Sequence, residues 1–571
     1  MKKIYNVALS ILLALPFAGC SDFLSVYPLN DIVEENFWTT SDDVESVLMA
    51  AYAKLESTDC ITRMSFWGEM RSDNLVAGSG SIPEDIQRVL VKDNLLESNT
   101  YITWAAFYDV INLANTVIYY ADKVQEKDPN YREEAKLAHV AEARALRALS
   151  YFYLIRTFKD VPYVTVPSRD DTEDFRLPAT SFDEILKSEI KSLEETVPTE
   201  GKEWAQKKFS TDEATVGRIT RAGIYALLAD MTLWNGDYDK CIEYSDRVLR
   251  IKNEQLEDLK KKERSKCVVE PINGFPLIKA EIADKPGFVG TVYSKVFGEG
   301  YSFESIFELA FVRDQSVKNS FISDYYGSSD RGSAGYLAAN NTLYKDADLT
   351  ATFYNDKDCR YRESFITDAS SQVSRIIKYV YTGRNFKMGE VSNSDLDQNK
   401  RVDAVSPNWI IYRLSDVILM QAEAMVQKAK AEQADFKTSP LVQSAFTRVN
   451  AIYLRAHDYP AVAVTDTVVM GGDIANWDDV EEVIMKERRR ELLFEGKRWY
   501  DLVRVSRRRG NTDYLVNKVI PKYTENTNAI RIKMKSMDAM YFPISKDELK
   551  INPNLQQNPI YREKEDVSKS K

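Results

Sequence analysis

Two glutamates in the C-terminal part of the chain have residue types and a spacing that acid chemistry could use. The stretch 477–504 predicts a helix, a turn near Gly496 and a second helical start, and Glu487 and Glu491 lie on the apolar stripe of the first helix. They could form an acid pair in a site. Carboxylates that face a core are costly unless cations pair with them, so we predict a buried ionic clamp between packed helices instead. The available partners are Arg488, Arg490 and Arg498, or arginines from another helix.

Two loop-like stretches, residues 67–104 and 321–341, combine aromatic rings with amide, carboxylate and guanidinium groups. Sugar binding needs this mixture, because rings stack on the apolar faces of a sugar while polar groups bind its hydroxyls. The stacking candidates are Trp67, Tyr101, Trp104, Tyr325, Tyr326 and Tyr336, and the polar candidates are Arg71, Asp73, Asn74 and Asn99. Each could instead be structural: Trp104 begins a predicted helix, and Arg71 could pair with Asp73 to hold the loop.

Other site chemistries find little support in the sequence. The five cysteines, at positions 20, 60, 241, 267 and 359, show no CxxC spacing, and His139 and His457 are the only histidines. A zinc or redox motif and a histidine-rich metal site are therefore excluded, and a Ser-His-Asp triad could use only those two histidines. Residues 395–399 faintly resemble the start of a calcium loop but lack its required glycine and glutamate. We predict no cofactor and no bound metal.

The N-terminus has the pattern of a secretory signal. Two lysines precede an apolar run, residues 7–17, which is too short to span a membrane. Small residues directly before Cys20 favour a lipoprotein signal peptide that spans residues 1–19, with Cys20 as the lipidated first residue of the mature chain. Phe17 departs from this pattern, because leucine is usual at its position. The alternative is an ordinary signal with a chance cysteine. A lipid chain would tether a soluble body to a membrane.

The charge balance argues against nucleic acid as a partner. The chain has a net charge of -11, and without residues 1–19, whose charges are two lysines, it keeps 74 basic against 87 acidic residues. Nucleic-acid binding favours basic surfaces. Charged residues make up 29% and hydrophobic residues 44% of the chain, which is typical of a soluble globular protein.

The elements that must position the candidate residues are mainly helical. Amphipathic patterns predict helices over 41–55, 104–124, 133–158, 181–197, 212–234, 237–250, 408–429 and 440–457. One stretch, AGIYALLADMTLWNGDYDKCIEYSDRVL, resembles a tetratricopeptide unit, in which small residues let two helices pack closely. One such unit cannot bury its own face, so neighbouring helix pairs must stack on it.

Two regions interrupt the helical pattern. Residues 60–100 lack a helical period and predict a long loop, while residues 265–405 gain glycine and asparagine and contain β-like runs at 289–296 and 376–381. We therefore predict a mainly α fold, with a tetratricopeptide-like α-α helical scaffold and a loop-rich ligand-binding lobe.

Several motifs together resemble the SusD/RagB family, the outer-membrane nutrient-binding lipoproteins of the Bacteroidetes. The C-terminal signature reads ERRRELLFEGKRWYDL and then YFPISKDELKINPNLQQNP, and further similar stretches are AEARALRALSYFYLIRTFKDVPYV and YRLSDVILMQAEA. The mature N-terminus is also similar, in CSDFLSVYPLNDIVEENFWTTSDDVESVLMAAYAKL. The resemblance divides the chain into an N-terminal region with tetratricopeptide-like helices, 20–250, and a C-terminal region, 265–571, which together form one compact unit.

The resemblance also implies a function. SusD-like proteins are not enzymes: they are surface-exposed, lipid-anchored in the outer membrane, and deliver glycans, or sometimes peptides, to a SusC-like TonB-dependent transporter. Stretch 67–104 resembles the family's ligand loop, and this favours the ligand-binding interpretation of its residues. We expect a glycan-binding lipoprotein whose partners are carbohydrate, the transporter and the membrane. The alternatives are a peptide-binding member of the family and a surface-exposed glycoside hydrolase, which would need two carboxylates a few ångströms apart.

Overall fold

Helices dominate the computed structural model. It describes residues 37–168, 176–198, 204–263, 268–279, 291–311, 319–327, 335–340, 343, 358–367, 374–380, 407–457 and 474–562. The helices are α1 (Ser41–Leu55), α2 (Thr58–Glu69), α3 (Glu84–Lys92), α4 (Ala105–Lys127), α5 (Glu133–Phe158), α6 (Phe182–Glu194), α7 (Asp212–Gly217), α8 (Arg221–Asn235), α9 (Tyr238–Glu263), α10 (Thr291–Tyr293), α11 (Cys359–Ser364), α12 (Leu414–Ala431), α13 (Pro440–Ala456), α14 (Trp477–Glu491), α15 (Arg498–Arg509), α16 (Asp513–Val519), α17 (Thr527–Met534) and α18 (Lys546–Ile551). The predicted mainly α fold is confirmed.

Short strands and turns complete the described structure. The strands are β1 (Leu75–Ala77), β2 (Val161–Pro162), β3 (Ala179–Thr180), β4 (Val269–Ile272), β5 (Phe275–Ile278), β6 (Ser305–Leu309), β7 (Leu337–Ala339), β8 (Phe365–Thr367), β9 (Ser374–Ile376) and β10 (Trp409–Arg413). Short 3-10 or π turns cover Thr100–Ile102, Ser294–Glu299, Ile322–Tyr326, Ile520–Lys522, Met537–Met540 and Pro559–Tyr561.

The first long helices pack side by side. α1 begins where the Asp43 carboxylate accepts a hydrogen bond from the backbone amide of Thr40 at 2.7 Å, which satisfies an amide that the helix leaves without a partner. α4 packs against both α1 and α5. α5 is rich in alanine and buried along most of its length, so neighbouring helices cover it on several sides.

α8 and α9 form the predicted tetratricopeptide-like pair. Gly236, which follows α8, adopts a left-handed conformation with φ of 78°, and this geometry favours glycine at the end of a helix. α9 returns against α8, and α12 stacks on both. Cys241 of α9 is buried, with its sulfur 3.9 Å from the carbonyl oxygen of Met420 on α12. Neighbouring helices thus cover the face that a single pair cannot bury.

The strands join parts of the chain that are distant in sequence. A four-stranded antiparallel sheet has the order β1-β7-β9-β8, and β6 pairs with β10. In the β1–β7 pair, Leu75 lies opposite Ala339 and Ala77 lies opposite Leu337. This pair brings the two loop-like stretches, 67–104 and 321–341, to the same part of the molecule.

One cluster of buried apolar side chains extends from Trp38 to Leu555. It therefore contains residues from both regions that the sequence resemblance distinguished. Among the helices that the structure describes, none has the length and apolar content needed to cross a bilayer.

Some element boundaries differ from the sequence-based predictions. Residues 60–100 contain most of α2 and all of α3 instead of one long loop. The sequence shows no helical period for α2 because the second half of this helix is buried on all sides and carries no polar stripe. The helix predicted over 212–234 is two helices, α7 and α8. The helix predicted over 408–429 begins with strand β10, whose five residues are all buried. From Thr291 onward, the β-like run 289–296 is helical.

Several sequence-based predictions concern residues outside the described ranges. They are the lipoprotein signal peptide over 1–19, the lipidated Cys20 and the calcium-like residues 395–399. They stay predictions.

Candidate ligand-binding face

The acidic stripe of α14 lies in the core and is paired with cations from other elements. Glu491 accepts hydrogen bonds from Arg413 at 2.6 Å and from Arg360 at 2.9 Å, and Arg455 also binds it. Glu487 accepts from Arg360 at 2.7 Å. Burial raises the pKa of Glu491, but the three guanidiniums outweigh burial and hold this pKa well below its usual value. A carboxylate held ionised in this way is a poor proton donor, which argues against an acid pair in a site. The ion pairs with Arg360, Arg413 and Arg455 confirm the predicted ionic clamp.

The predicted partners are three local arginines or arginines from another helix, and the clamp contains both kinds, since Arg360 and Arg455 come from α11 and α13. Arg490 does contact Glu487, at 3.1 Å. Arg488 instead contacts Asp501 at 3.0 Å, and Arg498 contacts the carboxylate of Asp73, which lies shortly after α2. Successive residues of a helix point in different directions, so neighbouring arginines reach different partners.

The polar ligand-binding candidates of stretch 67–104 lie inside the molecule. Residues 69–74, called the internal segment below, begin at the last residue of α2 and are all buried. Arg71 donates hydrogen bonds to the carboxylate of Asp93 at 2.8 Å and to the carbonyl of Ala539 at 2.8 Å. Arg71 is thus fully buried, which does not fit the predicted ligand contact, and its ion-pair partner is Asp93 rather than Asp73.

Asp73 and Asn74 are also satisfied internally. The Asp73 carboxylate accepts from Arg498 at 2.8 Å and contacts Arg489 at 3.2 Å. Burial raises the pKa of Asp73, but these two guanidiniums hold that pKa below its usual value. Asn74 donates to Glu69 at 2.6 Å and accepts from Arg489 at 2.7 Å. Neither side chain is exposed to ligand, which corrects the prediction for both.

Asn99 and several aromatic candidates are core residues as well. Asn99 accepts from the backbone amide of Tyr101 at 2.9 Å and thereby caps a short turn. The Trp67 indole N–H donates to the carbonyl of Tyr101 at 2.7 Å, and its ring is fully buried. Trp104 and Tyr326 are buried too, and the Tyr326 hydroxyl donates to a backbone carbonyl at 2.8 Å. Large rings contribute most to stability when they fill a core, and here they pack between helices.

Tyr101, Tyr325 and Tyr336 form a contiguous set of rings, called the aromatic face below. The ring of Tyr325 lies 6.5 Å from Tyr101 and 5.4 Å from Tyr336, edge-on to both. Tyr101 and Tyr336 are half-buried, whereas Tyr325 between them is 6% exposed. Phe66 stacks against Tyr101 at 4.8 Å from the inner side. The structure thus brings together three of the ten predicted residues at a partly exposed surface.

Polar groups border the aromatic face. Arg63 is buried and its guanidinium donates to the carbonyl of Thr103 at 2.5 Å, so it supports the turn that carries Tyr101, whereas the partly exposed Asp85 accepts from the amide of Thr100 at 2.9 Å. Burial raises the pKa of the Tyr101 phenol, so this hydroxyl stays protonated and can donate as well as accept. Sequence reasoning missed Arg63 because it treated α2 as a loop. The helical spacing of Arg63 and Asp59, four residues apart, is the signal that could have identified it.

Metal-ligating side chains do not cluster at this face. Within the described ranges, His, Cys, Asp and Glu residues nowhere form a group of three or more that could hold a metal ion. Cys60 and Cys241 are buried free thiols, and burial raises the pKa of Cys60 to about 12. The chemistry available at the aromatic face is therefore ring stacking and hydrogen bonding.

Comparison with known proteins identifies the family. The model of the SusD family matches residues 311–561, and a family described as starch-binding and associating with the outer membrane matches residues 22–233. SusD-like protein P38 of Formosa agariphila is 25% identical over 577 residues, covering 98% of this chain and 100% of that protein. A SusD-like protein of Bacteroides ovatus is 24% identical over 515 residues, covering 86% of this chain and 80% of that protein.

The chain is a SusD-like family protein.

Solved structures share this SusD-like fold. A SusD homolog from Bacteroides thetaiotaomicron has a TM-score of 0.61 at 21% identity, covering 92% of this chain and 100% of that chain. Surface glycan-binding protein A from Bacteroides uniformis has a TM-score of 0.61 at 19% identity, with the same coverage of 92% and 100%. SusD-like family members are carbohydrate-binding proteins and not typically enzymes, and the family description indicates association with the outer membrane.

Proposed function

We propose that this SusD-like protein is a cell-surface lipoprotein that binds a glycan on the aromatic face and delivers it to a SusC-like TonB-dependent transporter. One observation carries the binding part of the proposal. Tyr101 and the Tyr325–Tyr336 pair come from loops that are distant in sequence, yet the β1–β7 pairing places them side by side. Convergent aromatics with bordering polar groups are what an oligosaccharide or polysaccharide needs.

The rings are held in place before any ligand arrives. The rings of Tyr101 and Tyr325 pack edge to face at 6.5 Å, and Tyr325 also stacks on Phe321 at 4.6 Å. A preorganised ring loses little rotamer freedom on binding, so more of its contact energy contributes to affinity. Each stacked ring contributes roughly 0.5–1.5 kcal/mol beyond its buried area.

The proposed anchor is the lipidated Cys20, left at the N-terminus after removal of residues 1–19. Its support is the apolar run that ends in Ala-Gly-Cys, together with the family's association with the outer membrane. Metabolic labelling with a palmitate analogue tests it. Wild-type protein should be labelled and recovered with outer membranes, whereas Cys20→Ala should be unlabelled. Equal labelling of both would contradict the proposal.

A binding panel tests the ligand site. Affinity electrophoresis in gels containing soluble starch, xylan, laminarin or pectin identifies a polysaccharide that retards the wild-type protein, and a peptide mixture tests the alternative ligand class. In the double variant Tyr101→Ala/Tyr336→Ala, affinity should fall on the order of 100-fold, because two stacking rings are lost.

Tyr119→Ala is the matched control, since Tyr119 is a tyrosine of α4 and the residue is 36% exposed. It should bind like the wild type. Full affinity in the double variant, with a thermal transition unchanged, would place the ligand site elsewhere on the molecule. Retention of peptides but of no polysaccharide would favour the peptide-binding alternative.

A further inference from the structure

We propose that Arg489 of α14 is a positioning residue that fixes the aromatic face through the internal segment. The inference rests on the proposed function, because it concerns how that binding face is held. Arg489 does not lie on the face. It contacts the side chains of Asp73 and Asn74 and the backbone carbonyl of Asp73, and these are the last two residues before β1.

Three contacts join Arg489 to the internal segment. Its Nε donates to the side-chain oxygen of Asn74 at 2.7 Å, one Nη donates to the carbonyl of Asp73 at 3.0 Å, and the other Nη lies 3.2 Å from the Asp73 carboxylate. A planar guanidinium that contacts a carbonyl, an amide and a carboxylate together fixes direction as well as distance. The start of β1 is therefore oriented by α14.

The same two residues hold the partner strand. The side-chain amide of Asn340 donates to the carbonyl of Asp73 at 2.9 Å, and its backbone amide donates to the carbonyl of Asn74 at 2.8 Å. Asn340 directly follows β7. A shift of Asp73 and Asn74 would therefore shift β7 as well as β1.

Tyr336 lies at the other end of this strand pair. It directly precedes β7, its carbonyl accepts from the amide of Gly78 at 2.9 Å, and its own amide donates to the carbonyl of Asp324 at 3.1 Å. Asp324 is next to Tyr325 in sequence. Hydrogen bonds thus run without a gap from Arg489 through the β1–β7 pair to the backbone of Tyr336 and of Asp324, the residue before Tyr325.

Loss of Arg489 should leave the fold intact. Asp73 keeps two hydrogen bonds from Arg498, at 2.8 and 3.0 Å, so its buried charge stays paired. α2 also remains fixed, because a Cβ at Gly68 would lie 1.8 Å from the carbonyl oxygen of Gly496, so the two backbone segments are in close contact there. Positioning can therefore be separated from stability.

The test replaces Tyr336 with 3-fluorotyrosine and records its 19F signal in the full-length protein, with and without Arg489→Ala. The signal should shift or broaden in Arg489→Ala, and affinity for the panel polysaccharide that retards wild-type protein should fall about fivefold, as expected when one link of a connected network is lost. Arg489→Lys keeps a cation near Asp73 and should recover part of both effects. Asn340→Ala, which breaks the same connection from the β7 side, should reproduce the signal change.

Arg508→Ala is the matched control, because Arg508 is an arginine of similar burial that pairs with Glu423 and Glu481 and contacts neither strand. It should leave the Tyr336 signal unchanged. An unchanged Tyr336 signal in Arg489→Ala would overturn the inference, whatever the affinities and whatever the signal in Asn340→Ala. The 19F readout needs no ligand: if wild-type protein bound no polysaccharide while the signal still changed, the positioning would stand and the proposed function would fail.

Discussion

The internal segment and the aromatic face lie close together but satisfy their polar groups in opposite ways. In the internal segment, Arg71 and Asp73 are each paired with an oppositely charged side chain at 2.8 Å, and both are buried. On the aromatic face, the rings of Tyr101 and Tyr336 are half-exposed and rest against other rings. Buried paired charges specify the fold, whereas partly exposed rings leave surface for a ligand. Substitutions in the two regions should therefore separate stability from binding.

The largest effect is expected in the ionic clamp. Glu491→Ala leaves Arg360, Arg413 and Arg455 without the carboxylate that they share, so the free energy of unfolding should fall by about 3–5 kcal/mol. Chemical denaturation measures it. Affinity in the folded fraction should not change. A Glu491→Ala variant with normal stability and lost binding would reverse the assignment and make the clamp part of the site.

A buried ring should behave like the clamp and not like the aromatic face. Trp67→Ala removes a fully buried indole that stacks on Phe107 at 4.9 Å, and the free energy of unfolding should fall by about 3 kcal/mol. Tyr119→Ala, at an exposed ring, is the control and should change it little. If Trp67→Ala melted like the wild type, Trp67 would be exposed in solution and would return to the candidate ligand site.

The pH dependence of stability offers a smaller effect within the internal segment. Burial raises the pKa of Glu69 from 4.5 to about 7, although Asn74 and the backbone amides of residues 497 and 498 donate to its carboxylate. Because the folded pKa lies above the unfolded one, the stabilisation is complete below pH 4.5 and is lost as pH rises through 7.

Between pH 5 and pH 7, wild-type protein should lose on the order of 2 kcal/mol more stability than Glu69→Gln, which cannot titrate at this position. Denaturation curves at matched ionic strength measure the difference. Parallel pH profiles for the two proteins would show that Glu69 is ionised across this range.

The sequence determined the fold better than the site. Helical periodicity located most helices, and the small residues with Gly236 indicated the α8–α9 pair. Periodicity failed in α2, because Arg63 and Glu69 are buried beside Ile61 and Trp67, so no polar stripe marks an outer face. The clamp followed from charge on a core-facing stripe.

The candidate site could not be predicted residue by residue, since Trp67 and Tyr101 have similar local surroundings in the sequence. What distinguishes them is tertiary. Trp67 is buried by its packing against Phe107 of α4 and Phe158 of α5, whereas Tyr101 stays half-exposed. Neither contact leaves a signal in the residues themselves.

Hydroxyl-radical footprinting shows whether a bound ligand covers the aromatic face. The full-length protein is oxidised with and without the polysaccharide that retards it in the gel panel, and modification of each tyrosine is measured by mass spectrometry. The ligand should protect Tyr101 and Tyr336, while Tyr119 should be modified equally in both samples. Protection of Tyr119 or of another surface, with Tyr101 and Tyr336 modified equally, would contradict the assignment of the aromatic face as the ligand site.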